Sequence, residues 1–127
     1  MTKQQLKIDG TVSSASPYSP GLRVGDFIFV SGQVPRDPAT GKIVGETIEE
    51  QTEQVIKNIQ AILEAGGAKL ADVVKVSAHL TDLSLFDRYN EVYVTYFPDP
   101  KPTRTTVGSQ LLGFLVEIDA IAYVGKD

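Results

Sequence analysis

The sequence predicts an α+β domain in which two helices cover one face of a mixed β-sheet. Three observations predict it. A run of β-formers in Asp26–Val34 is followed by a strongly amphipathic stretch in Thr47–Ala65. The same order then repeats, with β-formers in Val73–Leu80 and an aromatic stripe in Ser84–Phe97. Finally, the even positions of Phe114–Val124 are all apolar, a face that belongs against helices.

The chain has 127 residues, 42% of them hydrophobic and 22% charged. A single domain over residues 1–127 accounts for this length. Folding buries roughly two-thirds of the open chain's surface at this size, enough for a core without disulfides or a structural metal. Charges are 12 basic against 16 acidic, a net of −4. This acidic balance argues against a general binder of nucleic-acid backbones. There is no cysteine and 1 histidine, which removes thiol nucleophiles, thiolate sites and His-rich metal centres. No stretch approaches the ~20 apolar residues of a membrane span. Residues Met1–Gly10 lack an apolar signal core, so the chain reads as soluble and cytoplasmic.

Taken in order, Ser13–Gly21 (SSASPYSPG) reads as a loop punctuated by serines and prolines, with Tyr18 its one large side chain. In Asp26–Val34, Phe27, Ile28, Phe29 and Val30 run unbroken, which predicts a strand covered on both faces. Ser31-Gly32 interrupts that run, as at a bulge or a close backbone approach. Pro35–Gly45 is a turn-rich connection. In Thr47–Ala65, Ile48, Val55, Ile56, Ile59, Ile62 and Leu63 keep one helical face, with Thr52 beside them. Thr47 with Glu50 forms a T-x-x-E capping box, and Gly66-Gly67 supplies the stop.

Val73–Leu80 reads as a strand. Ser84–Phe97 reads as a helix opening on S-x-x-D, and Pro98, Pro100 and Pro102 forbid its continuation. Thr103–Val124 predicts two strands joined by a short turn near Gln110–Gly113. The odd face of the last strand mixes Leu115, Ile121 and Tyr123 with Glu117 and Asp119. Such a half-apolar sheet face predicts burial against another subunit.

Arg104 and Glu117 are the leading candidates for chemistry. On a hairpin of this kind both fall on one sheet face, with Val107 and Leu111 turned to the core. A turn centred on Gln110-Leu111 sets them directly opposite. A turn at Leu112-Gly113 separates them by roughly 13 Å, so that only long side chains or neighbouring subunits would let them share a site. Arg104 offers a bidentate clamp for a carboxylate. Glu117 offers a base or a water-orienting group. The plain alternative is an inter-strand or inter-subunit ion pair.

Tyr18 could close a pocket and offer a hydroxyl, or simply pack. Asn90 reads as a solvated helix position unless a site reaches that helix. His79 has no partner motif and reads as an ordinary strand histidine. The glycines form no phosphate-binding turn, and the acidic residues have no calcium-loop spacing.

Four segments in order resemble the RidA (YjgF-type) family, the reactive intermediate deaminases. They are SPYSPG, FIFVSGQVPRDPATGKIVG, DLSLFDRYNEVYVTYF, and PTRTTVG followed by VEIDAIAYV. The likeness covers nearly the whole chain. It implies a chorismate-mutase-like α+β fold and a homotrimer whose sheets pack around a central barrel, with ligand clefts between subunits. It also implies hydrolysis of reactive 2-enamine and 2-imino acids, released by pyridoxal-phosphate enzymes, to 2-oxo acids and ammonia, with no cofactor or metal.

By position, the resemblance makes Arg104 the residue that binds the substrate carboxylate and Glu117 the acid that places or activates water. Tyr18 matches the tyrosine near the substrate, Gly32 the backbone lining the cleft, and Asn90 the helix asparagine. Many deaminating members carry a cysteine where this chain has Thr106, a residue that can still donate a hydrogen bond. The span from Arg104 to Glu117 is shorter than in the family's best-studied branch. Competing expectations are a small-carboxylate binder or regulator without turnover, and an endoribonuclease or translation inhibitor, against which the acidic balance and lone His79 weigh. A chaperone-like holdase is a third.

Overall fold

The computed structural model describes residues 2–8 and 16–125. Its strands are β1 (Lys3–Leu6), β2 (Gly21–Val24), β3 (Phe27–Gln33), β4 (Val73–Leu80), β5 (Thr103–Gly108) and β6 (Val116–Tyr123). The helices are α1 (Ile48–Ala65) and α2 (Phe86–Tyr96), with 3₁₀ turns at Leu70–Asp72 and Leu83–Leu85. The strands form a 6-stranded sheet in the order β1-β2-β3-β6-β4-β5. This is the mixed α+β architecture expected, with both helices on one face.

α1 forms where the sequence places it. The Glu50 amide donates to Thr47 Oγ1 at 3.1 Å, and the Thr47 amide donates to Glu50 Oε1 at 3.2 Å. This reciprocal cap satisfies amides that the first turn would otherwise leave unpaired. At the other end the Gly66 amide donates to the Leu63 carbonyl, and Gly67 takes a φ of 85°, a conformation that favours glycine. The stripe Ile48, Val55, Ile56, Ile59, Ile62 and Leu63 is buried against the sheet.

Several expectations need correction. β1 and β2 were not expected as strands; Gly21, the last residue of the expected loop, lies in β2, and positions 13–15 of that loop lie outside the described residues. β3 is covered on one face only: Ile28 and Val30 are buried, while Phe27 and Phe29 are each 43% exposed. The second helix starts at Phe86, after a 3₁₀ turn whose cap is Asp82, its carboxylate accepting from the Ser84 amide. The expected S-x-x-D start is therefore not the helix cap.

The largest correction concerns the last two strands, which are not a hairpin. β5 pairs parallel with β4, with Val76 beside Arg104, and β6 pairs antiparallel with the other edge of β4. The cause is α2. A helix connecting two strands lets the chain cross over and add the second strand parallel to the first. Residues 109–115 then carry the chain past β4 to its far side.

This insertion sorts the side chains. Val76, Ala78 and Leu80 of β4 and Val116, Ile118 and Ala120 of β6 face the helices. In the β4–β5 register, Arg104 and Thr106 sit beside Val76 and Ala78, so they also face the helices. Val107 sits beside His79 on the opposite face and is 40% exposed, not in the core. That helix-free face also presents Phe27, Phe29 and Tyr123; the Phe27 and Tyr123 rings are 5.1 Å apart.

Candidate functional site

The Ser31-Gly32 interruption is a bulge: the β3–β6 register shifts between Val30 and Gln33. It brings the Gly32 backbone against the Glu117 side chain, so closely that a side-chain carbon at Gly32 would collide with Glu117 Oε2. Close approach, not an unusual backbone angle, sets this position: a side chain here fits only if the Glu117 carboxylate moves away. The Ser31 amide donates to the Pro20 carbonyl at 2.9 Å, and Ser31 Oγ donates to the Ser19 carbonyl at 2.6 Å. These bonds hang the loop carrying Tyr18 on β3. Tyr18, 58% exposed, stands over the same place. The result is a crevice of about 460 Å³ lined by Tyr18, Ser31, Gly32, Val34, Arg36, Leu112, Phe114 and Glu117.

Two buried polar side chains of α1 hold the crevice walls. Asn58 Nδ2 donates to the carbonyls of Val34 at 3.1 Å and Arg36 at 2.9 Å. Gln51 Nε2 donates to the Gly45 carbonyl at 3.1 Å, and its Oε1 accepts from the Leu115 amide at 2.8 Å. Neither residue was singled out from the sequence. The signal was present: Gln51 and Asn58 lie on the apolar stripe, one turn after Ile48 and Val55. Polar residues on a buried stripe need partners, and here they find loop backbone.

Arg104 lies on the other side of the sheet. Its Nη1 donates to Asn90 Oδ1 on α2 at 2.7 Å. Its guanidinium carbon stands 4.5 Å from the Tyr93 ring centroid, 5.5 Å from that of Phe86 and 5.6 Å from that of Tyr89. The aromatic stripe is therefore core, as expected, and also a platform for this cation. Among the described residues the ion pairs are Lys57 with Glu53 and Arg88 with Glu49; Arg104 has no carboxylate partner. Burial pushes the Tyr89 phenol up to about 12, with the Arg104 charge pulling the other way. The Tyr89 hydroxyl lies toward Thr106 and Arg104, but neither it nor Thr106 Oγ1 completes a well-formed hydrogen bond.

The structure thus groups the six predicted site residues in two sets. Tyr18, Gly32 and Glu117 meet at the crevice on one side of the sheet. Arg104, Thr106 and Asn90 meet under α2 on the other. The expectation that Arg104 and Glu117 share a sheet face is overturned, because β4 stands between their strands and the register turns them apart. An ion pair between them within one chain is excluded by the same geometry. Asn90, read as a solvated position, is instead the hydrogen-bond partner of Arg104.

Residues 10–124 match the family model described as endoribonuclease L-PSP. The chain belongs to the RidA (YjgF-type) family. Among RidA-family relatives, a RutC family protein of Pyrococcus abyssi is 49% identical over 97% of this chain and 98% of its own length. The chloroplastic reactive intermediate deaminase A of Arabidopsis thaliana is 40% identical over 94% of this chain and 65% of its own length. A crystal structure from Thermotoga maritima superposes with a TM-score of 0.91 at 46% identity, covering 98% of this chain and 100% of that one. The RidA-like fold extends to Escherichia coli TdcF with bound serine, at a TM-score of 0.84 and 32% identity, covering 94% and 98%.

Proposed function

We propose that the protein hydrolyses small 2-imino acids and their 2-enamine tautomers to 2-oxo acids and ammonia, in crevices assembled from two copies of the chain. The observation that carries this reading is the state of Arg104. It is a half-buried cation with a neutral hydrogen-bond partner, aromatic rings around it and no carboxylate in reach among the described residues. A guanidinium held this way is an uncompensated charge, and a small carboxylate matches its fork bidentately. The name of the Arabidopsis relative and the serine held by TdcF support an amino-acid-sized ligand.

Glu117 lies across the sheet, so the reading requires a second copy to bring its β5 edge to the crevice of the first. The apolar helix-free face, with Phe27, Phe29 and Tyr123 exposed, supports association. The proposed assembly is a homotrimer around a central barrel.

In this arrangement Arg104 holds the substrate carboxylate, Asn90 fixes the guanidinium and Thr106 stands beside them. Glu117 of the other copy orients a water near Gly32. The water oxygen bonds to the imine carbon, the C=N electron pair moves to nitrogen, and Glu117 takes the water's proton. Glu117 returns that proton to the nitrogen, giving the neutral carbinolamine. The hydroxyl proton then passes to the amine by way of Glu117, the oxygen electron pair forms C=O as the C–N bond breaks, and neutral ammonia departs with no net proton consumed. An enamine joins the same path after protonation at its β-carbon. Tyr18 covers the crevice. Imine hydrolysis is already facile, so positioning and one proton-transfer group, together worth roughly 10²–10⁴-fold, suffice.

The test generates 2-iminopropionate in place from an amino acid and a pyridoxal enzyme, then follows release of the 2-oxo acid. Wild type is expected to accelerate it, and Arg104→Ala to remove most of the acceleration. Equal rates for the two would sink the assignment. A Glu117→Gln variant that binds a 2-oxo acid and keeps the wild-type rate would favour a non-catalytic binder. RNA cleavage surviving repurification and Arg104→Ala would point to the ribonuclease reading.

A further inference from the structure

We propose that Arg36 is a second anion-binding group in the crevice, and that it selects 2-imino acids whose side chain itself ends in a carboxylate, such as the imines of glutamate and aspartate. The substrate class rests on the hydrolase reading above; the site rests on the crevice itself. Arg36 is the one cation among the residues that line the crevice, and Glu117 is the one anion.

The residue is exposed, yet it is held at both ends. Its amide donates to the Val34 carbonyl at 2.7 Å, and its carbonyl accepts from Asn58 Nδ2 at 2.9 Å. Its backbone also bridges Ile43 on the returning arm of the turn. At the far end, Nη1 donates to the Gly41 carbonyl at 2.8 Å. Backbone and guanidinium are both anchored by neutral groups. A head group fixed in this way loses less conformational freedom on taking an anion than one that swings free.

Its charge has no partner within the chain. Among the described residues the ion pairs are those of Lys57 with Glu53 and Arg88 with Glu49, so neither Glu117 nor the adjacent Asp37 pairs with Arg36. Asp37 turns to its own loop, Oδ1 accepting from the Ala39 amide at 2.8 Å. A guanidinium carries five donors in a rigid fork. The bond to Gly41 uses one edge, and the other nitrogens are left for a ligand.

The rest of the crevice matches such a ligand. In the proposed function, Arg104 of the other copy takes the α-carboxylate, and the imine carbon stands by Gly32 and Glu117. What remains is room for the ligand's side chain. Its walls are the apolar Val34, Leu112 and Phe114, with Arg36 as the charged group left over. A smaller cavity of about 180 Å³ shares Tyr18, Gly32, Val34 and Arg36 with the crevice, so space continues past the guanidinium. A short methylene stem with an anionic end satisfies these walls and this charge together. An aliphatic side chain leaves the cation unpaired, and a side chain ending in an ammonium is repelled by it.

The probes are 2-oxoglutarate and 2-oxopentanoate, product analogues of equal chain length that differ in the distal carboxylate. Calorimetry at low salt is expected to give wild type a Kd about tenfold lower for 2-oxoglutarate, the size of a charge-assisted hydrogen bond at a partly exposed site. Raising the salt should shrink that preference. Arg36→Gln keeps a donor for the Gly41 carbonyl but removes the charge, and its two Kd values are expected to converge. Arg36→Lys keeps the charge without the fork and should retain part of the preference. Equal Kd values in wild type, or the wild-type ratio surviving in Arg36→Gln, would overturn the assignment. So would an Arg36→Gln protein that keeps the ratio while its oligomer dissociates on size exclusion, which would make Arg36 half of an ion pair between copies. In the hydrolysis assay, an amino-acid oxidase supplies the imines of glutamate and norvaline. The ratio of their kcat/KM values is expected to fall about tenfold in Arg36→Gln. A protein that separates the two 2-oxo acids yet accelerates neither hydrolysis would refute the hydrolase reading and leave the anion site standing. One that hydrolyses both imines alike and binds both 2-oxo acids alike would refute the anion site alone.

Discussion

Asn58 gives the sharpest test of how the crevice is held. The residue is 6% exposed, and its amide nitrogen serves two loop carbonyls, those of Val34 and Arg36. Asn58→Ala removes both bonds. Each contributes about 0.5–1.5 kcal/mol net. Arg36 is exposed, so water replaces its lost partner, and the Val34 carbonyl keeps the Arg36 amide at 2.7 Å. The expected loss is about 1–3 kcal/mol, which lowers Tm by about 4–12 °C at roughly 4 °C per kcal/mol. Asn58→Asp keeps the shape and the bond from Gln54 Nε2 to Oδ1, but turns a carboxylate toward two carbonyl oxygens. At neutral pH it is expected to be worse than Asn58→Ala, because a buried carboxylate with Gln54 as its one donor and its second oxygen against two carbonyls is costly. Burial raises this carboxyl's folded pKa above its unfolded value near ~3.9. The penalty is therefore full above the folded pKa and fades as pH falls toward the unfolded one. Thermal melts at fixed protein concentration, at pH 7 and near pH 4, make the comparison. Both variants melting within about 2 °C of wild type, or an Asp–Ala gap that ignores pH, would refute the reasoning.

Three more outcomes follow from other sites. Gly32→Ala should displace the Glu117 carboxylate and lower imine hydrolysis by about 10²-fold while changing stability little; an unaltered rate would remove Glu117 from its assigned place. Thr47→Ala should cost about 1 kcal/mol in urea unfolding with an unchanged m-value, since it deletes the α1 cap. The Tyr89 phenol, pushed up to about 12, should stay protonated in ultraviolet titrations of the folded protein well past the ordinary tyrosine range. Its contribution to stability is complete below about pH 10 and is lost as pH climbs toward 12, so Tyr89→Phe should flatten alkaline denaturation in that window.

Much of the fold was legible because it is locally determined. Thr47, Glu50 and Gly66 mark the ends of α1 within a few residues of chain, and Val73–Leu80 is a strand at the bounds its β-formers suggest. β1 was illegible because Lys3, Gln4 and Gln5 are exposed and only Leu6 is buried, too short a pattern to show a period. The hairpin error has a non-local cause. Nothing within Thr103–Val124 says that β4 separates its two strands; that is decided by α2, whose Tyr89, Tyr93 and Phe97 are buried against the sheet. The site was legible in its members and illegible in its grouping for the same reason. Arg104 and Glu117 are conspicuous as residues, but the face each takes depends on a strand encoded far earlier.

One consequence of the opposed placement of Arg104 and Glu117 reaches beyond a single molecule. Under the proposed assembly, Arg104→Ala and Glu117→Ala proteins are each inert, yet they are defective in different halves. Unfolded together and refolded as mixed trimers, about a quarter of the crevices draw an intact half from each parent. Two dead preparations would then yield a live one. The recovered activity would count shared crevices directly, and a chain complete in itself could not produce it.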